Sequence, residues 1–141
     1  MFSTQLFSVL AAVAVLAGSA VASPLETRNA TVRVRAADVT HTGRGTFFTP
    51  GLGACGQTST SSDPVVAIGA GRFGSGGNCF QWMKITANGV TAFGQTLDEC
   101  ESCGDSDIDM SPSLFQNFAP LSQGVVEVTW NFEPFGFQPP K

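Results

Sequence analysis

The chain has no tyrosine, a single histidine (His41) and only seven lysines and arginines among its 141 residues. Each scarcity excludes something. Without tyrosine, no phenol hydroxyl can hydrogen-bond a ligand while its ring stacks on it, so phenylalanine and tryptophan must supply any aromatic contact alone. One histidine rules out a His-rich metal site. A Ser-His-Asp arrangement would have to use His41, which this reading places at the very edge of the domain as an incidental surface residue. The formal charge of −4 and the absence of a basic run argue against nucleic acid and against a membrane surface as partners. No apolar run is long enough to favour a membrane anchor.

The apolar stretch that does occur lies at the start. Leu6–Leu16 leads into Ala20-Val21-Ala22, an A-x-A-like cleavage site with Pro24 just beyond, so residues 1–22 read as a secretory signal peptide even though Lys and Arg are missing before the apolar run. Secretion makes four cysteines most simply two disulfides, and the sequence alone permits three pairings. A mature chain of about 119 residues is one domain's worth, able to bury one core. Residues 23–40 read as a flexible leader, which carries the sequon Asn29-Ala30-Thr31 and hence a glycosylation site at Asn29. Residues 41–133 are the expected domain, and 134–141, rich in proline, a tail.

Within the domain the patterns favour strands. Gly45–Thr49 is β-prone and is stopped by Pro50-Gly51, and Pro64–Ile68 reads as a buried strand. Phe80, Trp82 and Lys84 share one face of the next strand, with Gln81, Met83 and Ile85 on the other. Asn88-Gly89 predicts a tight hairpin leading into Val90–Phe93. In the last strand Val126, Val128, Trp130 and Phe132 alternate with Glu127, Thr129 and Asn131. Both Trp82 and Trp130 are expected in the core. Ser111, as N-cap, with Pro112 after it, opens a short helix whose apolar stripe is Leu114, Phe115 and Phe118. The sum is a compact β-barrel with a small helix.

The chemistry concentrates in residues 98–109, which hold six of the eleven acidic residues and two of the four cysteines. Asp105-x-Asp107-x-Asp109 looks like the start of a calcium loop, but Met110 and Gln116 stand where the loop's glycine and glutamate belong. Cys100-x-x-Cys103 lacks the two further ligands zinc would require. A glycosidase would need a second carboxylate on the opposite wall, and no Asp or Glu lies between Asp38 and Asp63. No metal or cofactor is therefore expected. Glu99, Glu101, Asp105 and Asp107 read as solvated loop charges.

Several segments carry a family resemblance. Gly45-Thr46-Phe47-Phe48-Thr49-Pro50-Gly51-Leu52-Gly53-Ala54-Cys55-Gly56 resembles the opening of the double-psi β-barrel family, and Val65–Ile68 its following strand. Asn78-Cys79-Phe80 stands where the family has a cysteine opening the central strand. Asp98-x-Cys100-x-x-Cys103 followed by Ile108-Asp109-Met110-Ser111-Pro112 resembles its acidic motif, and Gly124–Trp130 its closing strand. The family includes expansins, loosenins, barwin-like proteins, family 45 endoglucanases and the lytic RlpA proteins. The resemblance is strongest to fungal single-domain, loosenin-like members. It implies a mainly β, six-stranded double-psi β-barrel with one or two short helices, stabilised by disulfides.

By the same resemblance Asp109 falls on the family's functional aspartate, Asp98 on a second, and Thr46 on the first-strand threonine. Phe48 occupies the place where relatives often have a tyrosine. The first-strand base of the hydrolases is missing, so the implied function is non-hydrolytic: a monomer that binds cell-wall polysaccharide (cellulose, xylan or chitin) in a shallow groove and loosens it. Asp98 is read equally well as a residue that fixes the turn before Cys100. The expected disulfides are Cys55–Cys79, closing the longer loop, and Cys100–Cys103, with crossed pairings such as Cys55–Cys100 left open. Two alternatives stand beside this reading. One is a barwin-like protein-binding module, an inhibitor or effector docking through the glycine-rich loop Gly69–Gly77 with Arg72 and Phe73. The other is a weak hydrolase pairing Asp98 with Asp109.

Overall fold

The structure, a computed structural model, describes residues 39–141. The expected signal peptide, the leader and Asn29 lie outside the described residues.

Six strands close into a barrel in the order β1-β5-β2-β4-β3-β6. They are β1 (His41–Phe47), β2 (Val65–Gly69), β3 (Trp82–Ala87), β4 (Val90–Cys100), β5 (Ile108–Met110) and β6 (Val126–Phe132), with helices α1 (Ala70–Phe73) and α2 (Pro112–Phe115). Two of the contacts, β1 with β5 and β2 with β4, are parallel, and the other four are antiparallel. Strands distant in sequence thus interleave, and closure leaves no unpaired sheet edge. The fold is a disulfide-stabilised six-stranded double-psi β-barrel.

Alternation fills the interior. Val126, Val128, Trp130 and Phe132 of β6 meet Met83, Ile85 and Ala87 of β3, Ile108 and Met110 of β5, and Val66 and Ile68 of β2 in one cluster. Leu114, Phe115 and Phe118 plug it from α2 and the turn after it. Asn88 and Gly89 join β3 to β4 with φ of 51° and 76°, the conformation a two-residue turn of that twist requires. Among the described residues no helix is long and apolar enough to cross a membrane.

Two local expectations change. Trp130 is 1% exposed, but Trp82 is only half-buried, because Met83, Ile85 and Ala87 take the inward phase of β3 and leave Trp82 on the outer face. Ser111 precedes α2 without a side-chain cap bond. Its Oγ accepts instead from the Val65 N–H at 3.2 Å, while its own N–H donates to the Val65 carbonyl at 2.9 Å, so the hydroxyl serves the β2–β5 junction. The C-terminal segment folds back: the Glu133 N–H donates to the Trp82 carbonyl, and Phe137 packs on Phe93 with ring centres 5.3 Å apart.

The cysteines pair Cys55–Cys79 and Cys100–Cys103, 24 and three residues apart in sequence. Loop-closure entropy makes the longer bridge the more stabilising of the two. We predict that the double variant Cys55→Ala/Cys79→Ala loses about 3 kcal/mol of unfolding free energy, by the loop-length dependence of the denatured-state entropy. Cys100→Ala/Cys103→Ala should lose less. Urea denaturation of both variants beside the parent measures the order.

Candidate functional site

Asp109 is the middle residue of a three-residue strand whose flanking side chains, Ile108 and Met110, are fully buried. Period-two alternation therefore turns Asp109 to the outer face of the barrel. Register places its neighbours. Thr46 of β1 pairs with Asp109, Ala67 of β2 pairs with Asp109 on the other side, and Asp98 of β4 pairs with Ala67. Thr46, Asp109, Ala67 and Asp98 thus form one row across four adjacent strands. With strands about 4.8 Å apart, the Cα atoms of Asp98 and Asp109 are roughly 10 Å apart. Small Ala67 between them forms the floor.

Within the row the two carboxylates do different work. The Thr46 hydroxyl donates to Asp109 Oδ1 at 2.8 Å. Partial burial pushes the Asp109 carboxyl above the usual aspartate range, opposed by the bonds from Thr46 and from the Met110 backbone. Such a group holds a proton more readily than a solvated aspartate, as suits a hydrogen-bonding or proton-donating role. Asp98 instead fixes a loop: its Oδ1 accepts from the Ala54 N–H at 2.8 Å and from the Glu99 N–H at 2.9 Å. That loop passes so close to β4 that a Cβ at Gly53 would overlap the Leu97 carbonyl oxygen, so Gly53 is required where the wall meets the floor. Phe48, two residues beyond Thr46, is half-buried, and its N–H donates to the Met110 carbonyl at 2.9 Å. The row thus brings together Thr46, Asp109 and Asp98, with Phe48 at its β1 end.

Other acidic side chains turn to protein donors. Asp107 accepts from the Arg44 N–H at 2.8 Å and the Gly104 N–H at 3.3 Å, and pairs with the Arg44 guanidinium at 3.6 Å. It clamps β1 to the segment before β5 and is not the free loop charge expected. Among the described residues no three His, Cys, Asp or Glu side chains are grouped to hold a metal ion.

Two residues read as peripheral belong to the fold. His41 opens β1 and stacks on Trp130 with ring centres 4.3 Å apart. Arg72, expected on a flexible loop, lies in α1. It donates to the Asp105 carbonyl at 2.6 Å, reaches His41 Nδ1 at 3.4 Å and sits 5.3 Å from the centre of the Trp130 ring. Phe73 beside it is buried, which removes the proposed anchor of a docking loop. These residues border a cavity of about 360 Å³ lined by Val39, His41, Arg72, Asn78 and Phe132. The cavity is separate from the Asp109 row: His41 and Thr46 are five residues apart on β1, roughly 16 Å at strand rise. Sequence reading missed it because its walls come from four segments that only the folded barrel brings together.

No protein-family model matches the chain. Among solved structures, the Streptomyces papain inhibitor is 34% identical and aligns with a TM-score of 0.62 over 69% of this chain and 96% of its own. A Clavibacter michiganensis expansin, solved alone and, as a point mutant, in complex with cellohexaose, aligns with a TM-score of 0.65 at 18% identity, over 72% of this chain and 54% of its own. That likeness is one of fold. Allergen Asp f 7 of Aspergillus fumigatus is 33% identical over 81 residues, 56% of this chain and 30% of its own length. Its homolog from Arthroderma benhamiae is 34% identical over 79 residues, 52% of this chain and 27% of its own. The match thus spans less than a third of these two curated relatives. Its closed barrel of interleaved strands, and its identity with the inhibitor over nearly all of that protein, place this chain in the double-psi β-barrel family of barwin-like and expansin-like proteins.

Proposed function

We propose that this chain is a secreted, non-hydrolytic protein that binds a cell-wall polysaccharide along the Thr46–Asp109–Ala67–Asp98 row and loosens contacts between glycan chains. The observation that carries this reading is the row itself: a half-buried carboxyl and a threonine hydroxyl in register on an open barrel face, beside a loop-fixing aspartate. Asp109 would exchange hydrogen bonds with sugar hydroxyls, and its raised proton affinity lets it serve as either donor or acceptor. Phe48 would offer a ring face at the end of the row. Hydrolysis needs a base or nucleophile across the scissile bond; β1 supplies none, and Asp98 is committed to Ala54 and Glu99. The expansin solved in complex with cellohexaose, part of which aligns with this barrel, supports the reading. The A-x-A-like site after the apolar start and the two disulfides support secretion.

A second reading is favoured by the identity with the papain inhibitor. In that case the docking face would be the exposed pair Leu52 and Phe80, 74% and 49% accessible, which flank the Cys55–Cys79 bridge. Phe80 holds a left-handed φ of 65°, a conformation a bulky side chain rarely adopts without support from its surroundings.

Purified mature protein should bind insoluble cellulose, xylan or chitin without releasing reducing sugar. Asp109→Asn should weaken that binding by roughly tenfold or more, as the loss of a charge-assisted hydrogen bond implies. Sugar release abolished by Asp109→Asn would establish hydrolysis instead. Absence of glycan binding, together with papain inhibition that survives Asp109→Asn and falls with Leu52→Ser, would establish the inhibitor.

The raised Asp109 carboxyl also fixes a pH dependence. A carboxyl whose folded pKa lies above its unfolded value favours the folded state when protonated. Its contribution is complete below the unfolded value near 3.8 and is lost as pH rises through the folded one. Asp109→Asn should therefore flatten the stability profile just above pH 3.8 and leave the protein at least as stable near neutrality. Thr46→Val, which removes a bond to the charged form, should raise the Asp109 pKa further. Carboxyl-carbon NMR titration reads this shift directly.

A further inference from the structure

We propose that the cavity between the start of β1 and the end of β6 is a binding site for a uronic-acid residue of an acidic glycan. It extends the glycan-binding reading, and rests on it for the choice of a sugar over another carboxylate. The cavity, about 360 Å³ and bordered by Val39, His41, Arg72, Asn78 and Phe132, has the size of a small-ligand site.

The central group is the Arg72 guanidinium. It is held in place on three sides: by the backbone carbonyl of Asp105, by His41 Nδ1 and by the Trp130 ring. Trp130 is itself fixed, fully buried, stacked on His41, and donating its indole N–H to the Ser106 carbonyl at 2.8 Å. Among the described residues the one ion pair is Arg44–Asp107, so no described carboxylate lies within 4.0 Å of the Arg72 guanidinium. A pre-positioned planar fork of donors of this kind matches a carboxylate.

The rest of the wall favours a sugar. Guanidinium groups only donate, so His41 Nδ1 is the acceptor toward Arg72 and the ring proton resides on Nε2. Burial, reinforced by the charge of Arg72, lowers the His41 pKa and so favours the neutral ring. Nε2–H is then a hydrogen-bond donor. The Asn78 amide, steadied by its bond to the Gln81 side chain at 2.8 Å, adds a carbonyl oxygen as acceptor. Val39 and Phe132 supply apolar surface for a ring face. An extended acidic peptide fits less well, since the closed barrel has no free edge to pair with its backbone.

The test is a ¹H–¹⁵N NMR titration of the full mature protein with free D-glucuronic acid, and with D-glucose at equal concentration. Glucuronate should shift the Asn78 side-chain amide, the Arg72 Nε–H and the Trp130 indole N–H, and glucose should leave them in place. Arg72→Gln should weaken glucuronate binding tenfold or more; Arg72→Lys, which keeps the charge but not the fork, should also weaken it and serves if the first variant fails to fold. Asp109→Asn should bind glucuronate as the parent does, so that failure of the groove and failure of this cavity are told apart. The proposal is overturned by no shifts with glucuronate, by equal shifts with glucose, by affinity unchanged in both Arg72 variants, by loss of binding in folded Asp109→Asn, or by a response to an acetylated glutamate peptide alone.

Discussion

The candidate site depends on a strand only three residues long. β5 is hydrogen-bonded to β1 on one side and β2 on the other, and its outer members, Ile108 and Met110, are fully buried. Burying both apolar side chains leaves the middle residue a single direction, outward, because strand side chains alternate. A slip of one residue would put a carboxylate into the core and two large apolar groups into water. The register that seals the barrel is therefore the register that presents Asp109 beside Thr46.

Around this strand the acidic segment is organised by backbone donors. Asp98 ties the 53–55 loop to β4, and Asp107 ties β1 to the turn before β5. Each carboxylate so used is withdrawn from chemistry and spent on position. The result separates the roles of residues that look equivalent in sequence: two carboxylates hold walls, and one faces a partly buried surface with a hydroxyl donor. In the Asp105-x-Asp107-x-Asp109 pattern that resembles the start of a calcium loop, protein donors take up the side chains of Asp107 and Asp109 and the backbone carbonyl of Asp105.

Much of the barrel was legible because local and global demands agree. The alternation of β6, the Asn88-Gly89 turn, the buried run at β2 and the stripe of Leu114, Phe115 and Phe118 all carry their physical cause in consecutive residues. Other features were not. Trp82 looked like core by residue type, yet the phase of its strand sets it outside. Ser111 looked like a cap, yet a buried Val65 N–H, supplied from 46 residues away, claims its hydroxyl. His41 and Arg72 looked incidental, yet Trp130 gathers them into one stack.

By itself the sequence determined the strand periods, the turns, the concentration of acid in one segment and the oxidisable cysteines, since each is set by neighbours in the chain. Tertiary structure alone decided which acid faces the surface, which faces a loop, and which basic residues meet at a cavity. Those outcomes follow from parallel pairing between strands far apart in sequence. Such pairing is fixed by closure of the whole barrel around one core, and no local pattern encodes it.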